Sequence, residues 1–210
     1  MVSIIAGKVG GGAVLRSAVL VGILVMGWSA NDAAAGAYMT TGGLTSQPIG
    51  HYDFCKANPD ECNIHPRDLR PAKLTRAAWS AMVGVNDHVN TTVKPMSDYE
   101  IYGKDEVWAY PDKGVGDCED YVLEKRRELA HAGFSLADLL ITVVRKPDGE
   151  GHAVLTVRTD KGDYILDNLS DKVKLWTHTP YRYLKRQAED DTGRWVSIRS
   201  GDNMMVSAVK

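Results

Sequence analysis

The chain has 210 residues, 44% of them apolar and 25% charged, and a formal net charge of −2. Such a chain can bury the core of one globular domain, and its interspersed charges exclude the basic footprint of a nucleic-acid binder. Taken in chain order, Lys8 and Arg16 precede the apolar run SAVLVGILVM at 17–26, followed by the small residues Ala33-Ala34-Ala35. This is the pattern of a signal peptide over residues 1–35, because the apolar run falls short of the ~20 residues of a membrane span. A retained anchor is the alternative. The export reading places the mature protein in the periplasm or outside the cell.

Residues 36–50, GAYMTTGGLTSQPIG, are Gly/Thr-rich and read as a flexible lead-in to a single domain over 51–210. In an oxidising compartment Cys55 and Cys62 tend to pair, since Asn58-Pro59-Asp60 between them is a turn signal. The rival is a zinc site with His51 and His65, although the spacing departs from the compact ligand pairs of common zinc folds. Pairing leaves Cys118 as the free thiol.

Thr75 is an N-cap candidate for a helix carrying Ala78, Trp79, Met82, Val83, Val89 and Val93, which Pro95 ends. Residues 96–116 read as a structured loop. A second helix follows Asp117 and stops at Gly133, a natural C′ residue. The period then changes: LLITVVR (139–145), HAVLTVRT (152–159), DYILDN (163–168) and RWVSIRS (194–200) read as strands. Helices followed by strands predict an α+β fold, a helical N-terminal half packed on an antiparallel sheet.

Cys118 opens the second helix within GVGDCEDY. Free N–H groups and the macrodipole at a helix start stabilise a thiolate and can receive an oxyanion. The flanking Asp117, Glu119 and Asp120 have two readings. One is a capping pair, Asp117 with Asp120 at N3; the other is a set of hard oxygen ligands for Ca²⁺.

A thiol nucleophile needs a base, and His152 opens an alternating strand just after Gly149-Glu150-Gly151. A four-residue connection Thr159–Gly162, with Gly162 left-handed, pairs Arg158 with Asp163 and Val154 with Asp167. Asp167 then lies diagonal to His152 on the same face, roughly 7–8 Å away and within side-chain reach. A three-residue connection would turn Asp167 to the other face. The predicted site is thus Cys118 as nucleophile, His152 as base and Asp167 as the group that holds the ring.

With these residues in place, GVGDCEDY and GHAVLTVRTDKGDYILDN resemble the bacterial transglutaminase-like cysteine proteinases, whose better-known members are periplasmic proteases that release surface adhesins. The resemblance extends over residues 51–200 and takes in FCKANPDEC, VNDHVN and DEVWAYP. It implies a papain/transglutaminase-like core, a Cys118–His152–Asp167 triad, and calcium held by Asp117, Glu119 and Asp120. It also implies that Trp108 lines the cleft, although an ordinary core tryptophan would look the same. Its partners are a protein substrate, in relatives an adhesin, and an inner-membrane cyclic-di-GMP receptor. The expected activity is that of an exported cysteine endopeptidase. A transglutaminase or amidase with the same triad, and a non-catalytic calcium-dependent binding protein, are the alternatives.

Overall fold

The computed structural model describes residues 36–199, so the signal-peptide reading of residues 1–35 lies outside the described residues. Helices α1 (Ile49–Ala57), α2 (Pro59–Cys62), α3 (Arg76–Thr92), α4 (Asp98–Tyr102) and α5 (Cys118–His131) precede most of the strands. The strands are β1 (Thr41–Leu44), β2 (Lys94–Pro95), β3 (Val115–Gly116), β4 (Leu139–Arg145), β5 (Gly151–Thr159), β6 (Gly162–Asp167), β7 (Ser170–Leu175), β8 (Arg182–Ala188) and β9 (Asp191–Ile198). Seven of them form a sheet in the order β1-β9-β8-β4-β5-β6-β7, with every neighbouring pair antiparallel. The predicted α+β class holds.

Each helix that matters to the site has a visible local cause. The Thr75 hydroxyl accepts the Ala78 N–H at 3.1 Å and caps α3. At the far end of α5, Gly133 takes φ +95°. Phe134 N–H then reaches Leu129 O and Gly133 N–H reaches Ala130 O, at 3.1 and 3.0 Å, closing the helix as a Schellman motif. Burial of Val122, Leu123 and Leu129 against Ile141, Leu155, Val157 and Leu166 seats α5 on the sheet, with Met82 of α3 in the same cluster. The opposite face of the sheet is also covered: Met39, Val144, Val154, Ile165 and Ile198 pack there with Trp176 and Tyr181. Strand β5, interior to the sheet, is therefore buried on both faces from His152 to Thr159.

Two expectations give way. The lead-in predicted to be flexible over 36–50 instead carries β1, paired with β9, and the start of α1. Its backbone is further tied by Asp163 N–H to Ala37 O and by Met39 N–H to the Asp163 carboxylate, both 2.8 Å. Glycine lowers intrinsic strand propensity, but here it permits close approach, because a side chain at Gly42 would collide with Ser197. Strands β7 and β8 add to those predicted. Their sequences SDKVKL and RYLKRQA look like surface, yet Arg186 is buried with Glu189 at 2.6 Å and Asp163 at 3.8 Å.

Candidate active site

Asp117 stands at the N-cap of α5 in extended conformation, and Cys118 is the first helical residue. Cys118 is a free, half-buried thiol. Cys55 and Cys62 are bonded to each other, which removes both sulfurs from the rival zinc reading. His51, buried beside them, contacts Cys55 Sγ through Nδ1 at 3.5 Å and also hydrogen-bonds Gln47 and Trp195. Burial, and then the Arg126 charge, lower its pKa to about 3.

His152 sits at the second position of β5, at the end of the sheet. The β5–β6 register pairs Arg158 with Asp163 and Leu155 with Leu166, and Gly162 takes φ +129°. That register carries Asp167 to the level of Val154, as the four-residue connection requires. The His152 and Asp167 side chains meet through Nε2 and Oδ1 at 2.9 Å, and both are almost wholly buried. A carboxylate only accepts, so Nε2 carries the proton and Nδ1 is left to act as a base.

Asp167 is held from several sides. Its Oδ1 also accepts the Leu169 N–H at 3.0 Å, and its Oδ2 accepts the Tyr181 hydroxyl at 2.6 Å. From α3, Asn86 Oδ1 takes its N–H at 3.1 Å and Asn90 Nδ2 donates to its carbonyl at 3.0 Å. Burial works against ionisation of this carboxyl. The bonds from His152, Tyr181 and Leu169 outweigh it and hold the group below the usual carboxylate range.

The thiol is turned elsewhere. Cys118 Sγ donates to Glu119 Oε2 at 3.1 Å, and among the described residues it makes no hydrogen bond with His152. Burial first, then the Glu119 charge and this bond, push the thiol pKa well up, while the Ala153 N–H works the other way. The structure therefore brings His152 and Asp167 together and sets the thiol beside the residue that follows His152, with its S–H directed at Glu119.

The acidic residues form a different set from the one predicted. One carboxylate oxygen from each of Asp98, Asp117 and Glu119 lies within 4.8 Å of the others. Asp120 stands beside this set and binds the Ala109 N–H through Oδ1 at 2.9 Å. The capping expectation fails in part, since the Asp117 side chain makes no cap bond. Asp98 is delivered by β2 and β3, whose parallel pairing aligns Pro95 with Gly116, and by Met96 N–H bonding Gly116 O at 3.0 Å. Sequence reasoning passed over it, although the Ser97–Glu100 capping box in SDYE marks the helix start that carries it.

Buried oxygens Asp98 Oδ1, Asp117 Oδ1 and Asp120 Oδ2 have no hydrogen-bond partner among the described residues. Burial, then the Glu119 charge, raise Asp117 to about 8, and burial raises Asp120 to about 7. Burial also pushes Asp98 and Glu119 up. Converging, buried carboxylates with orphaned oxygens and, among the described residues, no ion pair are a donor set that fits a hard cation such as Ca²⁺.

Trp108, expected in the cleft, is buried in the core. Its ring meets His51 and Trp195 edge-on at 5.3 and 6.4 Å. Tyr181, Asn86 and Asn90 were not foreseen. VNDHVN, noted for its resemblance, contains Asn86 and Asn90, but their roles stay hidden in sequence because the partners of the three residues lie 14, 81 and 77 residues away.

Comparison with known proteins follows from this geometry. The family described as bacterial transglutaminase-like cysteine proteinase matches residues 41–203. The calcium-bound form of Legionella pneumophila LapG has a similar fold, with a TM-score of 0.50 and 22% identity over 65% of this chain and 83% of that one. Legionella pneumophila LapG and its EGTA-treated form each give a TM-score of 0.49, at 22% and 21% identity. They cover 63% of this chain and 74% and 76% of their own. No curated protein matches the chain by sequence.

Proposed function

This chain belongs to the bacterial transglutaminase-like cysteine proteinase family and is a cysteine peptidase of the transglutaminase-like type, and from that premise we propose that Cys118, His152 and Asp167 carry its chemistry. The observation that supports this most is the buried 2.9 Å bond between His152 Nε2 and Asp167 Oδ1, at the sheet end that faces the start of α5. With Nε2 committed to Asp167, Nδ1 takes the thiol proton and an imidazolium forms, stabilised by the carboxylate. The thiolate attacks the scissile carbonyl, and N–H groups at the start of α5 face the developing oxyanion. His152 then protonates the amine as the C–N bond breaks; water, deprotonated by the same ring, attacks the thioester, the C–S bond breaks, and the acid and the Cys118 thiol are regenerated.

Asp98, Asp117 and Glu119 would hold calcium, with Asp120 beside them. Bound there, the ion supplies positive charge that offsets the buried carboxylates around the thiol. Glu119 has two competing partners, the Cys118 proton and this ligand set, so its release from Cys118 frees the thiol for His152. The calcium-bound state of a chain with a similar fold supports the choice of ion. On the sequence resemblance, the reading extends to export into the periplasm or medium and to a protein substrate, an adhesin at the cell surface. An inner-membrane receptor is then the regulator.

The test is the pH dependence of Cys118 alkylation by iodoacetamide, with calcium and with chelator, in the parent and in His152→Ala. The expected result is reactivity that persists below about pH 6 with calcium and is lost in His152→Ala. Reactivity that rises only near the free thiol pKa of about 8.5 in every condition overturns the assignment.

A further inference from the structure

Tyr181 packs with the cluster of Val154 and Ile165, whereas Cys118 packs with the cluster that seats α5, and Tyr181 touches both members of the catalytic pair. It follows Pro180 at the end of the loop after the 3₁₀ turn Trp176–His178. The loop is anchored by Thr179, whose hydroxyl bonds Trp176 O and the Tyr183 hydroxyl, both at 2.8 Å. From there the Tyr181 hydroxyl donates to Asp167 Oδ2 at 2.6 Å. Its ring lies 5.5 Å from that of His152, tilted by 58°.

We propose that Tyr181 is a positioning residue, which locks the Asp167 carboxylate in the rotation that presents Oδ1 to His152 Nε2 and closes one side of that hydrogen bond to water. The inference rests on the reading of Cys118, His152 and Asp167 as the catalytic set. The Asp167 backbone is already pinned at both its N–H and its carbonyl by Asn86 and Asn90. What remains free is the carboxylate plane, because the terminal torsion of an aspartate is broad and roughly two-fold. Oδ1 takes two donors, His152 Nε2 and the Leu169 N–H. Oδ2 takes Tyr181 alone among the described residues. A phenol bonded to a carboxylate at this length is charge-assisted and stronger than a neutral pair. Burial, then the bond to Asp167, keep the phenol protonated well above the ordinary tyrosine range, so it remains a donor. Without it, the carboxylate can turn, and the imidazole loses the acceptor that selects its tautomer.

The experiment is ¹⁵N and ¹H spectroscopy of the histidine rings, with His152 assigned by its loss in His152→Gln. The parent should show His152 protonated at Nε2, with a low-field proton resonance from the bond to Asp167. In Tyr181→Phe that resonance should broaden or vanish, and the ring should become a mixture of tautomers. In an Asp167→Asn background the same substitution should add nothing, since Tyr181 acts only through Asp167. A parent-like spectrum in Tyr181→Phe, or an equal change in the Asp167→Asn background, overturns the proposal. These spectra need no substrate. Alkylation of Cys118 that is indifferent to His152 would count against the catalytic assignment, separately from this arrangement.

Discussion

Within one residue of the nucleophile, Glu119 accepts a hydrogen bond from the thiol at 3.1 Å and also offers an oxygen to the set made with Asp98 and Asp117. A charge at that position stabilises the protonated thiol, and a neutral side chain does so far less. Glu119→Gln should therefore raise the alkylation rate of Cys118 in chelator about tenfold at pH 7, one unit of thiol pKa being a tenfold change in thiolate. The same variant should lose most of its response to added calcium, because a ligand has gone. An unchanged rate in chelator would mean that burial alone holds the thiol. At this scale GDCED was legible in the sequence, and so was the step from His152 to Asp167. Asp98 and Tyr181 were not, because a residue acquires a role of this kind only when a distant segment arrives beside it.

At the scale of the element, α5 is an unusual buried helix. Its first turn carries the nucleophile and the acids, and its middle buries Lys125, whose Nζ has no hydrogen-bond partner among the described residues. Burial lowers the Lys125 pKa to about 7, with the Asp167 charge partly opposing the fall. The unfolded chain holds this proton to above pH 10 and the folded one releases it near 7, so stability rises with pH across that interval. Below pH 7 the penalty is complete. Lys125→Met should accordingly stabilise the fold by about 2 kcal/mol at pH 6, within the range seen when buried charges give way to apolar groups. The gain should shrink at pH 9, and urea unfolding at the two pH values measures both. The ends of α5 were readable from Asp117 and Gly133, and β4 from its apolar run. Strand β8 escaped because its lysine and arginines read as surface until Asp163 and Glu189 are placed beside Arg186, and β7 because it is a sheet edge whose polar residues stay partly or wholly exposed.

For the whole molecule, the acidic set couples stability to pH and to cation. Asp117 and Asp120 have folded pKa values near 8 and 7 against an ordinary 3.8. The folded state thus binds more protons than the unfolded one between about pH 4 and 8, and stability from these groups falls as pH rises through that window. A cation reverses the sign by favouring the ionised carboxylates. Calcium at a hundredfold excess over its Kd should raise the melting temperature by about 5–10 °C at pH 8, and much less at pH 5. Melts in calcium and in chelator at both pH values decide this. An equal calcium effect at both would place the ion elsewhere.

The sequence alone was enough for the class of the fold, the cysteine pairing and the register that sets Asp167 beside His152. Each depends on local signals: the change of hydrophobic period, a short turn between two cysteines, and a hairpin whose connection sets which face each residue takes. Tertiary structure alone decided the anchoring of 36–50 as a strand, the burial of Trp108, the entry of Asp98 into the acidic set and the turn of the thiol toward Glu119. Those outcomes depend on which segments meet across long stretches of chain, where the free energy of burial and of satisfying polar groups outweighs local preference.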